Sequence, residues 1–381
     1  MQDQSYNSPM KTKQKIMVIY GTRPELIKLA PVILELQKYP EDFELFQLAT
    51  AQHRDMLDQM LDIFQLKPDR DLNIMVPNQT LDQLSSNVML KVSEIFTEIA
   101  PDIVIIQGDT TTAMVSAMAA LYKKIAVAHV EAGLRTGDIY NPFPEEINRK
   151  VVGTLANYHF PPTMTAAENL KKEGIPLERI LMTGNTVVDA LKFIEPKLDG
   201  YTPRVQLEPG KKMILVTAHR RENFGDPMEN ICKAIIDISE RYDDVEIVYP
   251  VHPNPNVREK VFNHLANRDR IHLLQPLNYI DFLVLMRKAY LILTDSGGVQ
   301  EEAPTYNKPV LVMRLVTERP EGVEAGVSKI IGTNQKNIVN EVSRILEDED
   351  TFRRMSRGTN PYGDGQASQR IRKFFKSLEL D

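Results

Sequence analysis

Short runs of apolar and β-branched residues alternate along this chain with longer stretches whose apolar positions recur at helical spacing. In the first half, 16–20, 43–49, 103–107 and 125–130 read as buried strands. The amphipathic stretches 24–38, 56–65, 81–99 and 111–122 read as helices between them. A further helical stretch, 145–157, follows the loop 135–144. The pattern then restarts: 213–217, 245–251, 271–274, 291–294 and 310–313 read as strands, with helices such as 227–241 and 279–289 among them. This alternation is the signature of βαβ units around a parallel sheet. Segment 195–212, rich in Pro, Gly and charge, reads as a surface linker near a domain junction. Residues 364–380 read as a closing helix after the turn Asn360-Pro-Tyr-Gly-Asp-Gly365. The expected fold is α/β, with two doubly wound halves of similar size.

Composition narrows the function more than the fold. A chain of 381 residues, 42% hydrophobic and 26% charged, is long enough for two or three ordinary domains. Its formal charge of −6 argues against general nucleic-acid binding, which rests on basic surface. The single cysteine, Cys232, excludes an intramolecular disulfide and a Cys-rich zinc site. No apolar run is long enough to suggest a membrane span, and 1–15 lacks the apolar core of a signal peptide. A cytoplasmic protein is expected.

Polar and charged residues gather just past the carboxyl ends of the expected strands. Gly21-Thr-Arg-Pro-Glu25, Gly108-Asp-Thr110 and Glu131-Ala-Gly-Leu-Arg135 do so in the first half. His219-Arg-Arg-Glu222, His252 and Asp295-Ser-Gly-Gly298 do so in the second. Open α/β sheets bind ligands in the crevice beyond these strand ends, and two such sheets facing each other would place both sets in one cleft. In Asp295-Ser-Gly-Gly-Val-Gln-Glu-Glu302 the glycines allow close backbone approach and the following helix start favours an anion. Glu301 or Glu302 is placed to reach a ribose diol; alternatively the segment is a tight turn with a dipole-favoured acid. Arg23, with Lys28 one turn on, suits a phosphate or is simply an exposed helix start. Asp109 is either a helix N-cap or a catalytic carboxylate. Glu131 stands at the mouth of a buried strand, and Glu145 and Glu146 either favour a helix start or join it in acid–base work. The charged stretch Asp69-Arg-Asp71 reads as a solvated turn, and His264 and His272 as ordinary surface or sheet-end residues. Dinucleotide, P-loop and zinc-ligand signatures are absent, so no metal, nicotinamide or ATP cofactor is expected.

Several ordered motifs then carry a resemblance. They are Gly21-Thr-Arg-Pro-Glu25, Thr50-Ala-Gln-His-Arg54, Gln107-Gly-Asp-Thr110, His129-Val-Glu-Ala-Gly-Leu-Arg135, Pro144-Glu-Glu-Ile-Asn-Arg149 and Thr217-Ala-His-Arg-Arg-Glu-Asn223. Further on come Thr294-Asp-Ser-Gly-Gly-Val-Gln-Glu-Glu-Ala-Pro304, Thr317-Glu-Arg-Pro-Glu-Gly322 and Asn360-Pro-Tyr-Gly-Asp-Gly365. Across roughly residues 15–378 the chain resembles the bacterial non-hydrolysing UDP-N-acetylglucosamine 2-epimerases. The resemblance implies two Rossmann-like domains facing a central cleft, as in the GT-B glycosyltransferases. One would span 1–185, with a C-terminal helix 363–381 packing back on it, and the other 186–362. It implies interconversion of UDP-GlcNAc and UDP-ManNAc through elimination of UDP to a 2-acetamidoglucal and re-addition, without cofactor, in a homodimer. The product would feed a surface glycan such as wall teichoic acid or capsule.

The family's acid–base carboxylates match Asp109, Glu131 and Glu145, and its catalytic histidine matches His219. Substrate contacts match Arg23, Lys28, Arg135, Ser296, Gly297, Gly298, Glu302 and Arg319. A second, activating UDP-GlcNAc would meet Gln52, His53, Arg220 and His252, although Asp55 and Asn78 depart from the usual pattern there. Arg314-Leu-Val-Thr317 and Val327 also depart, with apolar residues where polar ones are usual, and would alter the pocket wall. The alternatives are a hydrolysing relative that releases ManNAc and UDP, a GT-B glycosyltransferase, and a non-catalytic sugar-nucleotide sensor.

Overall fold

The computed structural model describes residues 13–50, 54–74, 76, 79–140, 142–201, 205 and 207–378, with the backbone alone at 54–56. The chain forms two compact units: Met1–Thr186 with Gln366–Asp381, and Val187–Gly365.

Unit 1 holds strands β1 (Gln14–Tyr20), β2 (Phe43–Ala49), β3 (Arg70–Asp71), β4 (Ile103–Gln107), β5 (Ala126–Val130) and β6 (Tyr158–Phe160). They form one parallel sheet in the order β3-β2-β1-β4-β5-β6. Its helices are α1 (Arg23–Gln37), α2 (Arg54–Phe64), α3 (Leu81–Ile99), α4 (Thr111–Tyr122), α5 (Glu145–Leu155) and α6 (Met164–Lys172). β1 and β4 are buried along their length apart from a half-buried Lys15, as expected of parallel strands covered on both faces. Thr22, Thr80, Thr110 and Thr163 begin α1, α3, α4 and α6, each side chain accepting a backbone N–H of the first turn.

Unit 2 repeats the plan. Its strands are β7 (Lys212–Thr217), β8 (Val245–Pro250), β9 (Ile271–Leu274), β10 (Leu291–Thr294), β11 (Val310–Val312) and β12 (Ser328–Ile330). Their order, β12-β11-β10-β7-β8-β9, is that of unit 1 read from the other edge. Helix α7 (Thr186–Leu198) enters the unit, followed by α8 (Asp226–Arg241), α9 (Pro255–Leu265), α10 (Tyr279–Lys288), α11 (Gly297–Glu302), α12 (Pro320–Glu324), α13 (Gln335–Glu347) and α14 (Glu349–Ser356). The last helix, α15 (Ala367–Ser377), belongs to unit 1 and packs on α1. Phe375 is fully buried there, Gln14 donates its side-chain N–H to the Phe375 carbonyl at 2.8 Å, and Arg372 pairs with buried Glu35 at 2.9 Å. Among the described residues no helix is long and apolar enough to cross a membrane.

Two local expectations are corrected. Residues 195–198, read as the start of a linker, are the last turn of α7, which buries Val187, Leu191, Ile194 and Leu198. Pro196 and the surrounding charge masked that periodicity. Arg70–Asp71, read as a turn, forms an exposed edge strand beside β2, and Asp69 accepts the Gln47 N–H at 2.7 Å.

Candidate functional site

The doubly wound order reverses between β1 and β4 in unit 1 and between β7 and β10 in unit 2. Such switch points leave a crevice at the carboxyl ends, because neighbouring connections depart to opposite faces. Most of the sequence-selected residues that the structure describes fall at these two places.

In unit 1, Glu25 ties the two loops of the switch point together. Its carboxylate accepts N–H groups from Gly21 (3.0 Å) and Thr22 (2.7 Å) and the Thr110 hydroxyl (2.6 Å). Burial pushes its carboxyl pKa up, against those hydrogen bonds. Thr110 is the residue that caps α4, which corrects the reading of Asp109 as a cap. Asp109 precedes the cap, with its carboxylate about one-quarter exposed and held by Arg149 at 2.7–2.8 Å. Asn148 also donates to the Asp109 carbonyl at 2.8 Å. Arg149 pairs in turn with the fully buried Glu146 at 3.0 Å, and Glu146 accepts the N–H groups of Thr136 and Gly137 at 3.1 Å each. One guanidinium thus fixes Asp109, α5 and the loop after β5 together.

Glu131 follows β5 in the left-handed region (φ +62°) and is buried. Its Oε2 accepts the Lys28 ammonium and, at 2.5 Å, the Gln107 side-chain amide. Such charge-assisted bonds hold the buried carboxylate in one orientation. Glu145 opens α5, half-buried, and its Oε2 is buried with no hydrogen-bond partner among the described residues. The Arg23 side chain has no hydrogen-bond or ion-pair partner among the described residues and is half-buried beside the Thr22 cap. His129, on β5, holds the Gly108 carbonyl at 2.8 Å, and burial together with the nearby His159 pulls its pKa down to about 3. It is therefore neutral and donates from Nε2 to that carbonyl.

Arg135 stands apart from this cluster. Its guanidinium makes a two-pronged pair with Glu173 at 2.6–2.8 Å and packs beside Gly153, where a Cβ would come within 3.0 Å. Among the described residues it meets neither Asp109 nor Glu131.

In unit 2, the wholly buried Asp295 clamps the segment after β7. It accepts the backbone N–H of His219 at 2.8 Å, that of Arg220 at 2.9 Å and the Asn223 amide at 2.9 Å. The His219 ring is about one-third exposed and stacks on His252, with centroids 5.2 Å apart and planes 14° from parallel. Burial lowers the His252 pKa. Ser296 and Gly297 open α11, and a Cβ on Gly297 would lie 2.8 Å from the Arg319 guanidinium carbon. Only glycine lets that cation lie so close to the backbone. A Cβ on Gly298 meets open space apart from Ser296 Oγ at 4.0 Å. Arg319 pairs with Glu301 at 2.8 Å and Glu318 at 3.2 Å. Glu302 accepts the Tyr279 hydroxyl at 2.9 Å. Arg314 is buried among Glu222 and Glu318, whereas Leu315 and Val316 point to solvent. Val327 is buried under Gly358, where a Cβ would come within 2.5 Å. Its apolar character thus serves packing.

Gln52, His53 and Asn78 lie outside the described residues, as does the side chain of Asp55. Sequence reasoning singled out no individual role for Gln107, Arg149 or Asp295, and for Glu146 it foresaw a helix start or acid–base work rather than the pairing with Arg149. The 146/149 spacing of one helical turn was a visible signal for one pair. Gln107, ending an apolar strand, was a second.

The family described as UDP-N-acetylglucosamine 2-epimerase matches residues 35–376. A Bacillus subtilis UDP-N-acetylglucosamine 2-epimerase is 54% identical over 360 residues, 94% of each chain. A crystal structure of a putative UDP-N-acetylglucosamine 2-epimerase from Listeria monocytogenes superposes with a TM-score of 0.89 at 49% identity, covering 96% of both chains. That of UDP-GlcNAc 2-epimerase from Neisseria meningitidis, bound to UDP-GlcNAc, gives 0.88 at 43% identity, covering 95% of this chain and 99% of that one. With two like-ordered sheets and this cover, the chain belongs to the UDP-N-acetylglucosamine 2-epimerase family.

Proposed function

We propose that the protein interconverts UDP-GlcNAc and UDP-ManNAc without hydrolysing them. The observation that carries the reading is the pairing of crevice chemistries: cation-held carboxylates at one switch point, and a histidine with an arginine-backed glycine turn at the other. The similarity to a structure bound to UDP-GlcNAc supports the choice of ligand.

The hydrogen at C2 of the sugar is not flanked by a carbonyl, so simple deprotonation and reprotonation is not a workable route. Elimination solves this. A carboxylate takes the C2 proton, its electron pair becomes the C1=C2 bond, and the C1–O bond breaks to release UDP as an anion. UDP then returns to C1 while a proton reaches C2 from the other face. The route needs carboxylates serving both faces and cations for the departing diphosphate. Asp109, Glu131 and Glu145 are the proposed acid–base groups. Arg23, Lys28, His219, Arg319 and the Ser296-Gly297-Gly298 turn are the proposed diphosphate contacts, and Glu302 the ribose contact. Arg135, committed to Glu173, is assigned the support of the loop that follows β5. We also infer a homodimer acting in the cytoplasm to supply ManNAc donors for surface polysaccharide. A regulatory UDP-GlcNAc is assigned to Arg220 and His252, with Gln52 and His53.

Incubation with UDP-GlcNAc in deuterated water tests the reading. Deuterium at C2 of both UDP sugars, with no phosphorus signal for accumulating UDP, is the expected result. Unlabelled sugars reject it, and accumulation of free UDP with ManNAc favours a hydrolysing enzyme.

A further inference from the structure

Asp295 stands at the end of β10 with no exposure, and the proposed reaction leaves it unused. Its two oxygens are treated very differently. Oδ2 collects the N–H groups of His219 and Arg220 and the Asn223 amide, all within 2.9 Å. Oδ1 has no hydrogen-bond partner among the described residues and lies 3.5 Å from Nδ1 of His219. A carboxylate oxygen removed from water without a donor is unfavourable, and that ring nitrogen, 3.5 Å away, is able to supply one. Catalytic hydrogen bonds are often long before substrate binds and tighten afterwards.

The opposite face of the ring is arranged to match. Nδ1 of His252 accepts the Asn254 N–H at 3.2 Å, so His252 carries its proton on Nε2 and is neutral. A neutral ring can stack on an imidazolium without charge repulsion. Arg220 lies beside His219 in the chain, and the Tyr249 hydroxyl donates to the Ala218 carbonyl at 2.9 Å. Asp295 is an anion facing the His219 ring, at 3.5 Å.

We infer that Asp295 is a positioning residue for His219: its Oδ1 keeps a proton on Nδ1, reserves Nε2 for the ligand, and favours the charged ring beside the diphosphate. The inference rests on the reading of His219 as an active-site group. It differs from a scaffolding role because Oδ2 alone suffices to hold the backbone.

The test uses the full chain labelled with 15N-histidine. His219→Gln identifies the His219 signals among the seven histidines. The wild-type ring, once deprotonated, is expected to carry its proton on Nδ1. Asp295→Asn retains an oxygen for the three N–H donors but turns an amide N–H toward Nδ1. It should move the proton to Nε2, lower the His219 pKa by about one unit or more, and reduce kcat by roughly 10²-fold or more at saturating UDP-GlcNAc. An unchanged pKa and tautomer in Asp295→Asn overturns the inference. So does an Nε2-protonated neutral ring in the wild type, a measurement that needs no variant to fold. If tautomer and pKa switch as expected while wild-type protein places no deuterium at C2, the dyad stands and the epimerase reading falls.

Discussion

The two units share one strand order and put opposite chemistry at the same topological place. At the β1/β4 switch point the groups presented are carboxylates, and buried cations restrain them: Lys28 on Glu131, Arg149 on Asp109. At the β7/β10 switch point the groups presented are His219, Arg319 and a glycine turn, and buried carboxylates restrain them: Asp295, Glu301 and Glu318. The fold supplies the location. In the Asp109–Arg149, His219–Asp295 and Arg319–Glu301 pairs the presented partner is the less buried one, whereas Lys28 and Glu131 are buried alike. Unit 1 is thus suited to moving protons and unit 2 to holding an anion.

The sharpest way to break this comparison is to neutralise one presented group in each unit. Asp109→Asn should lower kcat about 10²–10⁴-fold while leaving thermal unfolding nearly unchanged, because Arg149 keeps its pair with Glu146; Glu131→Gln should lower kcat as far and also lower the melting temperature, because it breaks the buried pair with Lys28. Steady-state rates beside a melting curve check this, and wild-type turnover in both variants would remove unit 1 from the chemistry. Next in size is Lys28→Met, which takes the ammonium away from the buried Glu131 carboxylate. Unpairing a buried charge costs about 3–5 kcal/mol, so denaturant unfolding of unit 1 should shift clearly to lower midpoint. Smaller again is Gly297→Ala. The added methyl meets the Arg319 guanidinium at 2.8 Å, so UDP affinity in calorimetry should weaken by about 1–3 kcal/mol.

Acid should separate the units more gently. An unfolded imidazole takes up its proton near 6.5, but burial holds His129 to about 3 and His159 to about 4. Between those values the unfolded chain binds more protons, so unit 1 loses stability as pH falls from about 6.5. Glu25, raised by burial, opposes this at its own titration. In unit 2, burial resists ionisation of Glu318, yet hydrogen bonds from Arg314 and the charges of Arg319 and Arg314 hold its carboxyl at about 2. That contribution persists until pH drops below about 4.5. Hydrogen exchange at pH 5 should therefore show unit 1 opening before unit 2, and the reverse order would contradict the assignment.

Much of this was legible from periodicity. The strands that carry the crevices are uniform apolar runs, and the end of each was marked by an abrupt polar residue. Elements that alternate weakly were not legible. Tyr158–Phe160 is three residues long, and α7 carries Pro196 and charged residues that disguise its buried stripe. Asp109 illustrates the limit for sites. An Asp before a helix looks like a cap, and only the structure places Thr110 in that role. Arg149 and Asp295 act across 40 and 76 residues of sequence, a distance that no local pattern records.

The most direct test of the division of labour is the rate of C2 deuterium exchange at saturating UDP-GlcNAc for Asp109→Asn beside Arg319→Gln. The account predicts that Asp109→Asn stays slow by about 10²-fold or more at saturation with KM little changed, whereas Arg319→Gln raises KM for UDP-GlcNAc as well as slowing the departure of UDP. Full exchange by Asp109→Asn at saturation would show that its carboxylate only binds, and would contradict the assignment of proton transfer to unit 1.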